Sequence, residues 1–179
     1  MTDDEFFELC VDNRDLRFER AATGEIIIRL PEYTFISAIN AKLLMQIMRW
    51  NELQNLGVVT GSDGGFILPD TSMRAPDVAW VQQERWESLS SEQQDKFAPL
   101  CPDFVIELKS PSDRLAALQA KMQDWIANGC QLAWLVDPGA EHVYIYRADG
   151  TTDVVAGFDG IVSGEEVLPG FVLKLDALR

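Results

Sequence analysis

Two apolar runs in this chain carry charge where a buried strand should have none. The first is Arg74-Ala75-Pro76-Asp77-Val78-Ala79-Trp80, and the second is Phe104-Val105-Ile106-Glu107-Leu108-Lys109-Ser110. Strand side chains alternate between faces, so Glu107 and Lys109, two residues apart, leave the same face. Burying such groups is costly unless they are paired, hydrogen-bonded or bound to a metal. The chain must therefore fold so that these charges find partners at one place.

The rest of the pattern supplies a frame for them. Leu16 to Arg20, a turn at Gly24, and Glu25 to Leu30 read as two strands, the second β-branched and ended by Pro31. Ile36, Ile39, Leu43 and Ile47 recur at helical spacing, which predicts a helix from Thr34, its N-cap, to about Asn55-Leu56-Gly57. Short strands are expected at Val58–Thr60, Gly65–Leu68 and Met73–Val81, the last delivering Asp77. Gln82 to Pro102 is a polar connection with a short helix near Ser90. A strand over Asp103–Ser110 then leads to a helix capped by Asp113 with an apolar stripe Leu115, Leu118, Met122, Trp125 and Ile126. Asn128-Gly129 closes it, and Leu132–Val136 reads as a fully buried strand. Strand, helix and strand in that order predict a right-handed crossover between parallel strands. The tail from His142 to Leu173 alternates short strands and turns. The expected fold is α/β: one domain over residues 1–179, core about 16–175, with a mixed central sheet flanked by helices.

A carboxylate from one strand beside a carboxylate and a lysine from the next suits a hard divalent cation. Mg2+ takes oxygen ligands, keeps several waters and is held by one or two carboxylates. Asp77 and Glu107 are the candidate ligands, with the backbone carbonyl of Leu108 as a third. Such a centre activates water and stabilises charge on a phosphate. Lys109 is placed to position or deprotonate that water, or to neutralise the transition state. A structural ion pair between Asp77 and Lys109 is the competing reading of the same spacing.

Composition excludes several other classes. No apolar run approaches the roughly 20 residues of a membrane span, and the acidic Met1-Thr2-Asp3-Asp4-Glu5 start lacks a signal peptide's basic region; a cytoplasmic protein is expected. Cys10, Cys101 and Cys130 fit neither a disulfide framework nor a zinc motif. His142 is the only histidine, sits in an alternating run, and has no nucleophile near it in sequence. The net charge of −14 argues against a nucleic-acid binder. Residues 1–19 hold seven acids and two bases, and 137–179 hold eight and three, so ten of the fourteen excess charges lie outside 20–136.

The segments Ala75-Pro76-Asp77-Val78 and Phe104 to Ser112 resemble the catalytic core of the PD-(D/E)XK nuclease superfamily, more narrowly its Uma-two branch of bacterial restriction-endonuclease-like proteins. Phe18-Glu19 before a Gly-Glu turn, Lys121 to Trp134, Val136-Asp137-Pro138 and Gly164 to Phe171 extend the resemblance to residues 16–175. It implies a metal-dependent endonuclease that hydrolyses DNA with metal-activated water, using Mg2+ or Mn2+. Asp77 and Glu107 would be the ligands and Lys109 the catalytic lysine. Glu19 matches an acidic residue at the edge of such sites, or is a solvated strand-end carboxylate. Lys121 matches a polar residue of the crossover helix that faces the site, or is a boundary residue that snorkels. A homodimer is implied as well. Many relatives carry a histidine before the first long helix, where this chain has Pro31-Glu32-Tyr33-Thr34. The alternatives are a nuclease-fold module that binds or regulates without cleaving and, more remotely, a hydrolase of a smaller phosphodiester.

Overall fold

The computed structural model describes residues 1–29 and 33–179. Leu30, Pro31 and Glu32, and with them the end assigned to the second strand and part of the stretch where many relatives carry a histidine, lie outside the described residues.

Helix α1 (Asp3–Asp12) opens the chain with a full capping box: the Thr2 hydroxyl accepts from the Glu5 amide, and the Glu5 carboxylate from the Thr2 amide. Sequence reasoning overlooked this helix, although Thr2 and Glu5 have capping-box spacing and Phe6, Phe7, Cys10 and Val11 fall on one helical face; of these only Phe6 is fully buried. The hairpin β1 (Arg17–Arg20) and β2 (Ile26–Arg29) turns at Gly24, whose φ of +86° favours glycine. Helix α2 (Thr34–Gln54) follows, ending at Asn55 in the left-handed conformation. Thr34 is its first residue rather than its cap; Tyr33 takes the cap position and makes no side-chain bond there.

The expected strand Met73–Val81 is instead two, in different sheets: β5 (Met73–Arg74) and β6 (Val78–Gln82). Pro76 lies in the break, and a residue with no N–H cannot extend a ladder. β4 (Phe66–Ile67) and β5 join the first hairpin in a four-stranded sheet of order β2-β1-β5-β4. β3 (Gly57–Gly61) and β6 belong to the main sheet with β7 (Phe104–Leu108), β8 (Leu132–Asp137), β9 (His142–Arg147) and β10 (Thr152–Ala156), in the order β10-β9-β8-β7-β6-β3. That sheet is mixed: β7 and β8 are parallel, joined by helix α5 (Leu115–Ala127), and the other neighbours are antiparallel.

The polar connection holds two short helices, α3 (Gln83–Glu87) and α4 (Ser91–Asp95), the second capped by Ser90. Asp113 does not cap α5. Its Oδ2 accepts from the Ser110 amide at 2.8 Å and the Ser110 hydroxyl at 2.6 Å, closing a local turn, and α5 begins after Arg114. β11 (Ile161–Ser163) and β12 (Val172–Lys174) form a terminal hairpin.

Alternation along β7 separates two cores. Phe104, Ile106 and Leu108 pack with Trp134 and the α2 stripe Ile36, Ile39, Leu43 and Ile47. Val105 packs with Ala133, Leu135 and the α5 stripe Leu118, Met122 and Trp125. Glu107 shares the parity of Val105, so its carboxylate enters the α5 side of the sheet.

Candidate active site

Strand register assembles the site. In the antiparallel β6–β7 ladder Val78 pairs with Ile106, so the next position outward sets Asp77 across from Glu107. Gly61 pairs with Val78, which brings Ser62 to the same row. In the parallel β7–β8 ladder Leu108 pairs with Val136, and one step further Lys109 meets Asp137. From the smaller sheet, Arg20 pairs with Met73, so Glu19 stands opposite Arg74. Lys121 and Trp125, one turn apart on α5, close the site from the helix side.

Every carboxylate of this cluster is buried. Glu19, Asp77 and Glu107 are 2%, 3% and 1% exposed. Leu108 donates its amide to Asp77 Oδ2 at 2.6 Å, tying the break before β6 to the end of β7. Glu107 Oε1 accepts from Trp125 Nε1 at 2.9 Å and lies 2.8 Å from Lys121 Nζ. Lys121 Nζ also donates to Glu19 Oε1 at 2.9 Å, and Arg29 and Arg74 each reach Glu19 at 3.3 Å. Lys121, Arg29 and Arg74 thus offset the three carboxylates charge for charge.

Two observations set Asp77 and Glu107 apart from an ordinary ion-pair network. Glu107 Oε2 is buried with no hydrogen-bond partner, a state that buried polar atoms rarely tolerate. Asp77 has its pKa raised to about 7, first by burial and then by the charge of Glu107; the Leu108 amide and Lys121 pull the other way without prevailing. Glu19 behaves oppositely. Burial pushes its carboxyl up, but Lys121, Arg29 and Arg74 together hold it below the usual range. Arg29 stays charged against its own burial because Glu107, Glu19, Asp77 and Asp113 surround it.

A buried oxygen without a donor, next to a carboxylate that resists ionising, fits a site able to take a cation. Among the described residues no group of three or more His, Cys, Asp or Glu side chains has metal-binding geometry. The donor set is therefore two carboxylates, a number that suits Mg2+ or Mn2+ with water completing the shell and does not suit a structural zinc. A cavity of about 30 Å³ lies against Asp77, Glu19, Arg29, Ser62 and Ala75, room for an ion or a water.

The structure brings Asp77, Glu107, Glu19 and Lys121 together; Lys109 stands slightly apart. Its Nζ is 3.7 Å from Asp137 Oδ2 and donates to the Ser110 carbonyl at 3.4 Å. The ion pair between Asp77 and Lys109 does not form; Asp137 is the lysine's partner. Leu108 contributes its N–H to Asp77. Glu19 is not a solvated strand end, and Lys121, 8% exposed, does not snorkel to water. Sequence reasoning missed Arg29, Arg74, Trp125 and Asp137. Arg29 ends a β-branched run and Trp125 follows Lys121 by one helical turn, so both carried a signal; the role of Arg74 depends on a sheet pairing 55 residues away.

Residues 3–176 match the Uma2 family, described as "Putative restriction endonuclease". The chain belongs to the Uma2 family. The Uma2 match begins at residue 3 and so takes in α1. The chain is also similar to a crystal structure described as "a putative nuclease belonging to DUF820" from Anabaena variabilis ATCC 29413. The two are 23% identical with a TM-score of 0.80, over 99% of this chain and 97% of that one. At this identity the likeness speaks for the fold, which is the mixed α/β architecture expected of Uma2 proteins. None of the curated proteins matches this sequence. No described helix is long and apolar enough to cross a membrane.

Proposed function

We propose that this Uma2 protein is a divalent-metal-dependent endonuclease that hydrolyses DNA phosphodiester bonds. The observation that carries the reading is the buried, unpartnered Glu107 Oε2 on the residue across the ladder from Asp77, whose own pKa burial and the charge of Glu107 raise to about 7. Asp77 and Glu107 would hold Mg2+ or Mn2+, with the Leu108 carbonyl at the adjoining strand end. When bound, the ion acidifies water and withdraws charge from the phosphate. The chain's own groups account for the rest. Trp125 and Lys121 fix the Glu107 carboxylate, and the Leu108 amide fixes Asp77. Lys109, held by Asp137 at the edge of the site, orients the attacking water or offsets charge as the P–O bond to the sugar breaks. Arg29 and Arg74 keep the site from repelling a polyanion. A homodimer would set one site against each strand of a duplex.

One observation favours a second reading. Lys121 already neutralises both Glu19 and Glu107, as a retired site kept as a binding module would require. Nicking of supercoiled plasmid separates the two. Wild type with Mg2+ or Mn2+ should nick, chelator should stop it, and Lys109→Ala should lose about 100-fold or more while remaining folded. No nicking with either metal, or equal nicking by the variant, favours the inactive module.

A further inference from the structure

Beside the carboxylate site lies a cleft of about 460 Å³ whose lining includes Phe7, Phe18, Phe97, Met73, Arg14 and Arg17. It shares Arg17, Phe18, Ser62 and Ala75 with the small cavity at Asp77, so the two spaces adjoin. Helix α1 builds the outer wall. Phe6 anchors that helix, Arg20 pairs with Asp3 and stands 5.2 Å over the Phe6 ring, and Phe7 meets Phe97 edge to face at 5.2 Å.

We propose that this cleft receives one unpaired nucleobase of the DNA strand being cut, next to the scissile phosphate. The inference rests on the nuclease reading and names the form of substrate that the site takes. At about 460 Å³ the cleft has room for a nucleobase and its sugar. Its walls are phenylalanine rings, which hold a base by its face, and a base offers that face only when it has left the duplex stack. Two arginines sit at the same opening. Arg17 is 48% exposed in its side chain, pairs with Asp63 at 3.2 Å and donates to the Ser62 hydroxyl at 3.3 Å, which sets its charge at the cleft where a phosphate can share it. A neighbouring cavity of about 290 Å³ shares Phe7 and Phe97 but carries three acids, Asp3, Asp4 and Glu92, against one base, Lys96, and has no arginine in its lining. The cleft beside Asp77 combines three aromatic side chains with two arginines.

The cleft also bears on the acidity of the chain. Stacking is less dependent on salt than phosphate contacts are, so a protein that grips a base needs fewer of the latter.

The test uses a short single-stranded DNA carrying one 2-aminopurine, and its fully paired duplex, each titrated with the full chain in chelator so that no cleavage occurs. The single strand should bind at least about tenfold more tightly than the duplex, with 2-aminopurine fluorescence changed by stacking. Phe7→Ala should weaken single-strand binding about tenfold, and Arg14→Glu, an exposed substitution that leaves the fold alone, should weaken it severalfold and so carries the test if Phe7→Ala fails to fold. Equal affinity for the two forms, or affinity unchanged in a folded Phe7→Ala and in Arg14→Glu, overturns the proposal. Plasmid nicking on the same samples separates the two readings. Nicking by wild type and both variants with no single-strand preference removes the base cleft and keeps the nuclease. Preferential single-strand binding without nicking keeps the cleft and removes the nuclease. Neither binding nor nicking removes both.

Discussion

Asp77 and Glu107 face each other across one ladder, yet their surroundings give them different debts. Glu107 has two donors on one oxygen and none on the other. Asp77 has a single amide donor and a like charge opposite, and its pKa stands near 7 against an ordinary 3.8. Between those two values the folded chain binds more protons than the unfolded chain, so this group's contribution to stability falls as pH rises from about 4 to about 7 and stays low above that. Glu19, held below its usual 4.5, acts in the opposite sense, contributing stability that is lost only as pH falls below that value. The windows barely overlap. Metal-free Asp77→Asn should therefore be more stable than wild type at pH 8, on the order of 2 kcal/mol, and the gap should close towards pH 4. Thermal unfolding of both proteins across that range checks it; a variant less stable than wild type at pH 8 would contradict the burial argument. Much of this was legible beforehand. Charge in an apolar run and the two-residue spacing pointed to Asp77, Glu107 and Lys109. The partner of Lys109 was not, because Asp137 reaches it through the β7–β8 register and not through sequence neighbourhood.

At the scale of elements, each side of the site comes from a different construction. The main sheet sets Asp77, Glu107 and Lys109 by register, the smaller sheet brings Glu19, Arg29 and Arg74, and α5 supplies Lys121 and Trp125. Helices α2 and α5 were readable because their apolar stripes are long and periodic. The division of Met73–Val81 was less so, since Pro76 marks a break but not a change of sheet. Helix α1 was legible but overlooked, since Phe6, Phe7, Cys10 and Val11 form a short helical stripe behind the Thr2–Glu5 capping box. Two substitutions test how closely these elements depend on one another. Trp125→Phe removes the donor to Glu107 and should cost about 1–3 kcal/mol, with weaker metal affinity because the carboxylate is freer to turn. Gly57→Ala places a methyl group 2.3 Å from the Val81 carbonyl and 2.5 Å from the Trp80 ring, where backbone cannot yield. It should destabilise the β3–β6 pairing by about 2–3 kcal/mol, read by denaturant unfolding. A neutral result for Gly57→Ala would mean that β3 and β6 pair less closely than described.

For the whole molecule the central tension is a chain of net charge −14 proposed to act on a polyanion. The fold eases it at the site itself, where Arg29, Arg74 and Lys121 gather at the carboxylates and Lys109 pairs with Asp137 at their edge. The amino-terminal acids include Asp3 and Asp4, each already paired, with Arg20 and Lys96. The proposal is that Asp77 and Glu107 bind a divalent cation, and the account stands or falls on it. The decisive measurement is calorimetric titration of Mg2+ and Mn2+ into wild type and Asp77→Ala. The account predicts one binding event per chain in wild type, with proton release near pH 7 as Asp77 ionises, and loss of that event in the variant. No binding by wild type, or equal binding by the two proteins, would contradict it.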